Sequence, residues 1–162
     1  MKTSTLLLLT FACVASARAE VKLPAIISDH MVVQTDASVP IWGWAEPGEE
    51  VTVSFAAQSK TAKANADGKW MVKLDQVKTS DQPQTLSVKG KNTLTVKDVL
   101  AGEVWLGSGQ SNMALNVAAV NHSAEEIAAA KFPALRMFIV RKQSGLQPLQ
   151  WRRPAGFAFA HR

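Results

Sequence analysis

The sequence predicts an antiparallel β-sandwich or jelly-roll-like domain over residues 20–100, followed from residue 101 by the opening of an α/β unit. Three observations carry this. Short β-prone runs that alternate with period two succeed one another at close spacing up to about residue 100. Turn-forming residues separate them, and no helical period intervenes. At Leu100 the pattern changes to an apolar run, a glycine-containing turn, helix-compatible stretches and a second apolar run. That order is the start of a strand–helix–strand unit with a parallel sheet.

Ahead of these elements, Met1-Lys2-Thr3 is a short positive start, Leu6 to Ala15 is mostly apolar, and Ala17-Arg18-Ala19 is a small-x-small cleavage pattern. Residues 1–19 are therefore expected to be a secretory signal cut after Ala19, delivering a secreted or periplasmic product with no membrane attachment. The one cysteine, Cys13, lies within it, which excludes an intrachain disulfide and a Cys-rich zinc site. With 162 residues, 47% of them hydrophobic and 19% charged, the chain has length for one medium domain, or a small domain and part of another, and is not wholly disordered.

The formal charge of +5 is unevenly placed. Lys2 and Arg18 carry two of it, and Arg141, Lys142, Arg152, Arg153 and Arg162 carry five, which leaves residues 20–140 at −2. A mildly acidic body excludes a nucleic-acid-binding fold, which needs its basic residues on a folded face.

Within the β region, Val39-Pro40-Ile41-Trp42-Gly43-Trp44 lies between Asp36 and the turn residues Glu46-Pro47-Gly48-Glu49. Val51 to Phe55 alternates, and Gln58 to Asn65 is its hairpin partner. Asp67-Gly68 introduces a strand over Lys69 to Leu74. Thr85 to Val88 and Thr93 to Val96 flank the turn Lys89-Gly90-Lys91-Asn92. Trp42, Trp44 and Trp70 are either a sugar-stacking platform or core packing, and packing is the commoner use of buried aromatics. His30, a single histidine among apolar neighbours, is expected to be a hydrogen-bonded structural residue.

Past Leu100, the apolar run Val99 to Gly107 is expected to be a strand and Ala114 to Val120 helical. Ser123 and Glu126 form a capping-box pattern opening a helix over Ala124 to Lys131, which Phe132-Pro133 ends. Leu135 to Val140 reads as a further buried strand. Sites in open α/β sheets lie beyond the carboxyl ends of strands, where Ser111 falls, at or near a helix N-terminus whose free N–H groups can stabilise an oxyanion. Gly107 and Gly109 allow a sharp turn beside it. The usual Gly-x-Ser-x-Gly elbow is absent, and from local chemistry alone a helix cap is the commoner use of Ser111 or Asn112. No phosphate loop, dinucleotide fingerprint or metal cluster is found, so neither a cofactor nor a metal is expected.

Several ordered stretches resemble a known family. Leu23-Pro24-Ala25-Ile26-Ile27-Ser28-Asp29-His30-Met31-Val32-Val33-Gln34, Val39 to Ala45 and Pro47-Gly48-Glu49 are similar to the opening of the secreted sialate O-acetylesterases. Gly102-Glu103-Val104-Trp105-Leu106, followed by Ser108-Gly109-Gln110-Ser111-Asn112-Met113, resembles that family's first SGNH-hydrolase block. The likeness runs in order from residue 23 to about residue 143. It implies that residues 101–143 begin a flavodoxin-like SGNH α/β domain. It also implies a serine esterase that removes O-acetyl groups from sugars such as sialic acid. Ser111 would be the nucleophile and lend its backbone N–H to the oxyanion hole, supported by the turn residues Gly109, Gln110 and Asn112.

The chain also departs from the family pattern. The glycine and asparagine that complete the family's oxyanion hole, and its Asp-x-x-His pair supplying the base and its orienter, are absent. His161 has Ala158, not aspartate, three positions before it, and His122 has no reason to take the role. A serine hydroxyl without a base is a poor nucleophile at neutral pH. Residues 144–162 are basic, acid-free and without clear periodicity. The expectation is thus an N-terminal fragment with a divergent or frameshifted tail, inactive alone. A non-catalytic, secreted carbohydrate-binding β module is the alternative reading.

Overall fold

Alternating burial along each strand builds two sheets over one core. The computed structural model describes residues 20–140. Seven strands run in order: β1 (Val32–Gln34), β2 (Val39–Trp44), β3 (Glu50–Phe55), β4 (Gln58–Lys63), β5 (Lys69–Leu74), β6 (Ser80–Lys89) and β7 (Thr93–Gly102). Strands β1, β7, β6, β3 and β4 form a five-stranded sheet in that spatial order, and β2 pairs with β5 in a two-stranded one. The inward residues of both sheets meet in a single hydrophobic cluster. Ile41, Trp70, Val72 and Leu74 come from the small sheet; Val51, Val53, Phe55, Leu86, Val88 and Val99 come from the large one.

The strands read from sequence at 39–44, 51–55, 58–65 and 69–74 are present with small boundary shifts. The β3–β4 hairpin turns through Ala56 (φ 48°) and Ala57 (φ 60°), both left-handed, as a two-residue primed turn requires. Pairing is not wholly antiparallel as expected: β1 runs parallel to β7, Val32 opposite Leu100 and Gln34 opposite Gly102.

Strands β6 and β7 are longer than their sequence signals because the hairpin carries two irregularities. Leu86 faces Val96 but Gln84 faces Val99, so β7 holds one extra residue there, and the positive φ of Asp98 (55°) marks the bulge. Between Gln84 and Ser80 the excess lies on β6, the stretch that contains Pro83. These breaks in alternation hid the outer halves of both strands.

Beyond Gly102 the expected elements are only partly formed. The run 99–107 is not a separate α/β strand: it is the end of β7 through Gly102, after which residues 103–109 have no regular structure. The expected helix over 114–120 is two 3₁₀ turns, Ser111–Ala114 and Val117–Ala119. A single helix, α1, spans Ser123–Ala129; its N-cap is His122 in a left-handed conformation, so Ser123 is the first helical residue and not the cap. Leu135 to Val140 forms no strand, only an isolated bridge position at Met137. The cause is physical: a buried strand needs a layer on each face and a neighbour at each edge. Among the described residues of this segment no large apolar side chain is buried; Trp105 is 85% exposed and Leu106 91%.

No helix among the described residues is long and apolar enough to cross a membrane. The expected signal over 1–19 and the divergent tail over 144–162 lie outside the described residues.

Candidate active site

Ser111 opens the first 3₁₀ turn, and its side chain is exposed. Gln110 is the N-cap: its Oε1 accepts from the Ser111 hydroxyl at 2.7 Å and from the Asn112 N–H at 3.2 Å. The cap that the sequence assigned to Ser111 or Asn112 is therefore filled by Gln110. As the first residue of the turn, Ser111 has a backbone N–H without an intrahelical acceptor. The Met113 side chain folds back over the preceding chain. A Cβ on Gly109 would stand 3.0 Å from Met113 Cγ, and one on Gly107 would stand 3.2 Å from its Cε. The two glycines thus leave the Met113 side chain room to lie against the chain that precedes the serine.

The Ser111 hydroxyl donates to an amide oxygen, which holds its orientation but is far too weak a base to take its proton. His122 Nδ1 lies 3.6 Å from the Glu125 carboxylate on the exposed start of α1. His30 is engaged elsewhere. Among the described residues no cluster of three or more histidine, cysteine, aspartate or glutamate side chains is arranged to hold a metal.

His30 sits in a junction that tethers this segment to the β domain. Its Nδ1 lies 2.5 Å from Asp98 Oδ2, and its backbone N–H donates to the Lys97 carbonyl at 3.0 Å. The other carboxylate oxygen of Asp98 accepts from Arg136 Nη2 at 2.7 Å, while Arg136 Nη1 donates to the Asp98 carbonyl and, at 3.4 Å, to that of Met31. The Arg136 side chain is only 5% exposed. Its Nε is buried with no partner among the described residues, so the charge depends on Asp98. The short bond to His30, together with the guanidinium, holds the Asp98 carboxyl below the usual carboxylate range, against a smaller opposing effect of burial. A second tether is the Val104 N–H, which donates to Gln34 Oε1 at 2.8 Å. The structural role expected of His30 is the one observed, but its partners were not foreseen. Asp98 lies 68 residues from His30 in sequence, and the bulge that aims its carboxylate leaves no sequence signature.

An open cleft of about 360 Å³ lies apart from these residues, lined by Gln58, Gln76, Lys78, Thr79, Ser80 and Gln84 among others. Two of its amides are already committed, Gln58 to the Asp75 backbone and Gln76 to the Asp36 carbonyl.

Comparison with known proteins points to one family. The sialate O-acetylesterase of Homo sapiens is 33% identical over 162 residues, covering 86% of this chain and 31% of the relative. That of Mus musculus is 29% identical over 160 residues. A crystal structure of a carbohydrate acetylesterase from Xanthomonas citri superposes with a TM-score of 0.77 at 37% identity, covering 87% of this chain and 32% of that one. The chain belongs to the sialate O-acetylesterase family. No family model matches it. Within the sialate O-acetylesterase family the chain spans about a third of the length of the curated relatives it matches, 31% of the human protein.

Proposed function

We propose that this chain carries the N-terminal part of a secreted or periplasmic serine esterase that removes O-acetyl groups from sugars, sialic acid among them. In this reading the β portion is a sandwich-like domain and residues from 103 onward begin an SGNH α/β domain. Ser111 is the nucleophile. Its Oγ attacks the acetyl carbonyl while its proton passes to a base. The oxyanion forms against the Ser111 N–H, and the sugar hydroxyl leaves as the acetyl-enzyme forms. Water then releases acetate.

The observation that carries the reading is Ser111 exposed at the start of a glycine-flanked turn, in a chain similar to acetylesterases over 86% of its length. The same geometry supports inactivity of the chain by itself, since the Ser111 hydroxyl donates its hydrogen bond to the Gln110 amide oxygen, which is not a base. Loss of triad members typically costs on the order of 10⁴-fold or more in rate.

The test measures acetate release from an O-acetylated sialic acid by the chain, by Ser111→Ala, and by each mixed with a polypeptide supplying the Asp-x-x-His region of a family member. Expected is no difference between the first two and Ser111-dependent turnover only in the mixture. Turnover by the chain alone, well above Ser111→Ala, would refute inactivity. Equal turnover by both mixtures would refute the nucleophile assignment.

A further inference from the structure

The cleft of about 360 Å³ lies where the β3–β4 turn, the chain after β5 and the start of β6 meet. Its concavity has a cause in the strand ladder. Between Ser80 and Gln84, β6 advances four residues while the partner position on β7 moves only from Ala101 to Val99. The surplus chain of β6 bulges away from the sheet, and its two ends, Ser80 and Gln84, stand on the cleft lining. Another part of the lining is the β3–β4 turn, where Ala56 adopts φ 48°, a conformation that asparagine or glycine takes more easily. Ala56 and the buried Val77 are the apolar residues of the cleft.

The polar lining is braced and still has bonding capacity. Gln58 Oε1 accepts from the Asp75 N–H at 2.8 Å, and its Nε2 donates to the Asp75 carbonyl at 3.3 Å. Gln76 Nε2 donates to the Asp36 carbonyl at 3.2 Å. These bonds hold two amides in place. An amide has two donor hydrogens and an oxygen with two lone pairs, so each keeps a donor and an acceptor to spare. The Ser80 hydroxyl accepts from the Gln82 N–H at 3.1 Å and keeps its own proton to donate. The Thr79 hydroxyl and the Gln84 amide make no hydrogen bond among the described residues. Lys78 is the single charged residue of the lining. The acids nearby in sequence are engaged: Asp75 pairs with Lys60, and Asp81 accepts from the Gln82 amide.

Amides and hydroxyls that both donate and accept, beside a small apolar patch, match a ligand with vicinal hydroxyls on its edge and C–H groups on its face. A lining with one charge among five uncharged polar side chains favours a neutral ligand over an ion. The volume stands at the lower end of the about 300–1,000 Å³ of small-molecule sites. We propose that this cleft binds a neutral sugar unit of a glycan, with Gln76, Gln84 and Thr79 hydrogen-bonding its hydroxyls and Ala56 and Val77 against the ring. The choice of a sugar as ligand rests on the esterase reading above; the cleft does not include Ser111.

NMR titration of the whole chain tests it, read at the glutamine side-chain NH₂ signals. The probes are the neutral oligosaccharides lactose, maltotriose, cellotriose, xylotriose and mannotriose, each taken to about 20 mM, a range that captures millimolar affinity. Expected is saturable movement of the Gln58, Gln76 and Gln84 signals with at least one probe, while the Gln110 signal on the serine turn stays still. Gln84→Ala and Thr79→Val should each weaken that binding about two- to tenfold, the worth of one hydrogen bond. Thr79 is exposed, so its variant decides the matter even if Gln84→Ala disturbs the bulge. The proposal is overturned if no probe moves the three cleft signals, if both variants bind unchanged, or if sialyllactose binds more tightly than every neutral probe. None of the probes carries an ester. Sugar binding without Ser111-dependent turnover in the complemented mixture therefore sinks the esterase reading alone, and turnover without sugar binding in the cleft sinks this inference alone.

Discussion

Replacing Asp98 with asparagine isolates the tether between the serine-bearing segment and the β domain. Asparagine tolerates the left-handed conformation that Asp98 adopts in the bulge, so the backbone is not strained. It keeps an amide oxygen within reach of His30 and Arg136 but removes the negative charge. A hydrogen bond to a charged group contributes about 1.5–3 kcal/mol. The Asp98 side chain is 25% exposed and Arg136 is 5% exposed, which places this pair near the middle of that range, about 2 kcal/mol. Most of the segment's large apolar side chains are substantially exposed, Phe138 excepted, so apolar burial contributes little to holding it. The undocked population should therefore rise about thirtyfold. Trypsin reads this directly. Cleavage after Arg136 requires the guanidinium to leave its buried seat, whereas Lys131 is already exposed and serves as an internal control. In Asp98→Asn, cutting after Arg136 should accelerate about thirtyfold while cutting after Lys131 stays within about twofold. An unchanged rate at Arg136 would refute the tether. Equal acceleration at both sites, with a fallen melting temperature, would mean the aspartate supports the global fold instead.

Three further outcomes are expected. The Asp98 carboxyl titrates below its ordinary range, so its contribution to docking is complete above that range and is lost as pH falls through the lowered value; the guanidinium NMR signals of docked Arg136 should collapse only once the pH falls below the ordinary carboxylate range, and Asp98→Asn should show no such step. Gly43→Ala would set a Cβ 2.1 Å from the Lys22 carbonyl oxygen and 2.9 Å from the Trp70 ring, and should lower the urea-unfolding free energy by about 3 kcal/mol. Ala57→Gly relieves a left-handed alanine on an exposed turn and should raise stability by about 1 kcal/mol, seen as an increase in Tm of about 4 °C.

How much could be read from the sequence depended on how local each signal was. Strands β2 to β5 were legible because alternation and turn residues are properties of neighbouring positions, and Val51 to Phe55 shows both. The β6–β7 hairpin was legible only near its turn; farther out, the bulge at Asp98 and the Pro83 region break the period on which the reading relies. The position of Ser111 at the start of a turn followed from the glycines and the Gln-Ser-Asn-Met sequence, but its cap did not, since Gln110 is not among the common cap residues. The strand expected over Leu135 to Val140 has the right composition and is not formed, because the layer that would bury it is not among the described residues.

The sequence by itself determined the β-rich character of residues 20–100, the mild acidity of the body and the exposed-turn context of Ser111, all of which depend on residue types a few positions apart. Only the tertiary structure decided that His30, Asp98 and Arg136 meet, that β1 joins the sheet in parallel, and that Trp70 lies in the core with Trp42 packed against it. Those outcomes depend on register and on contacts across 38 or more residues, which no local pattern encodes.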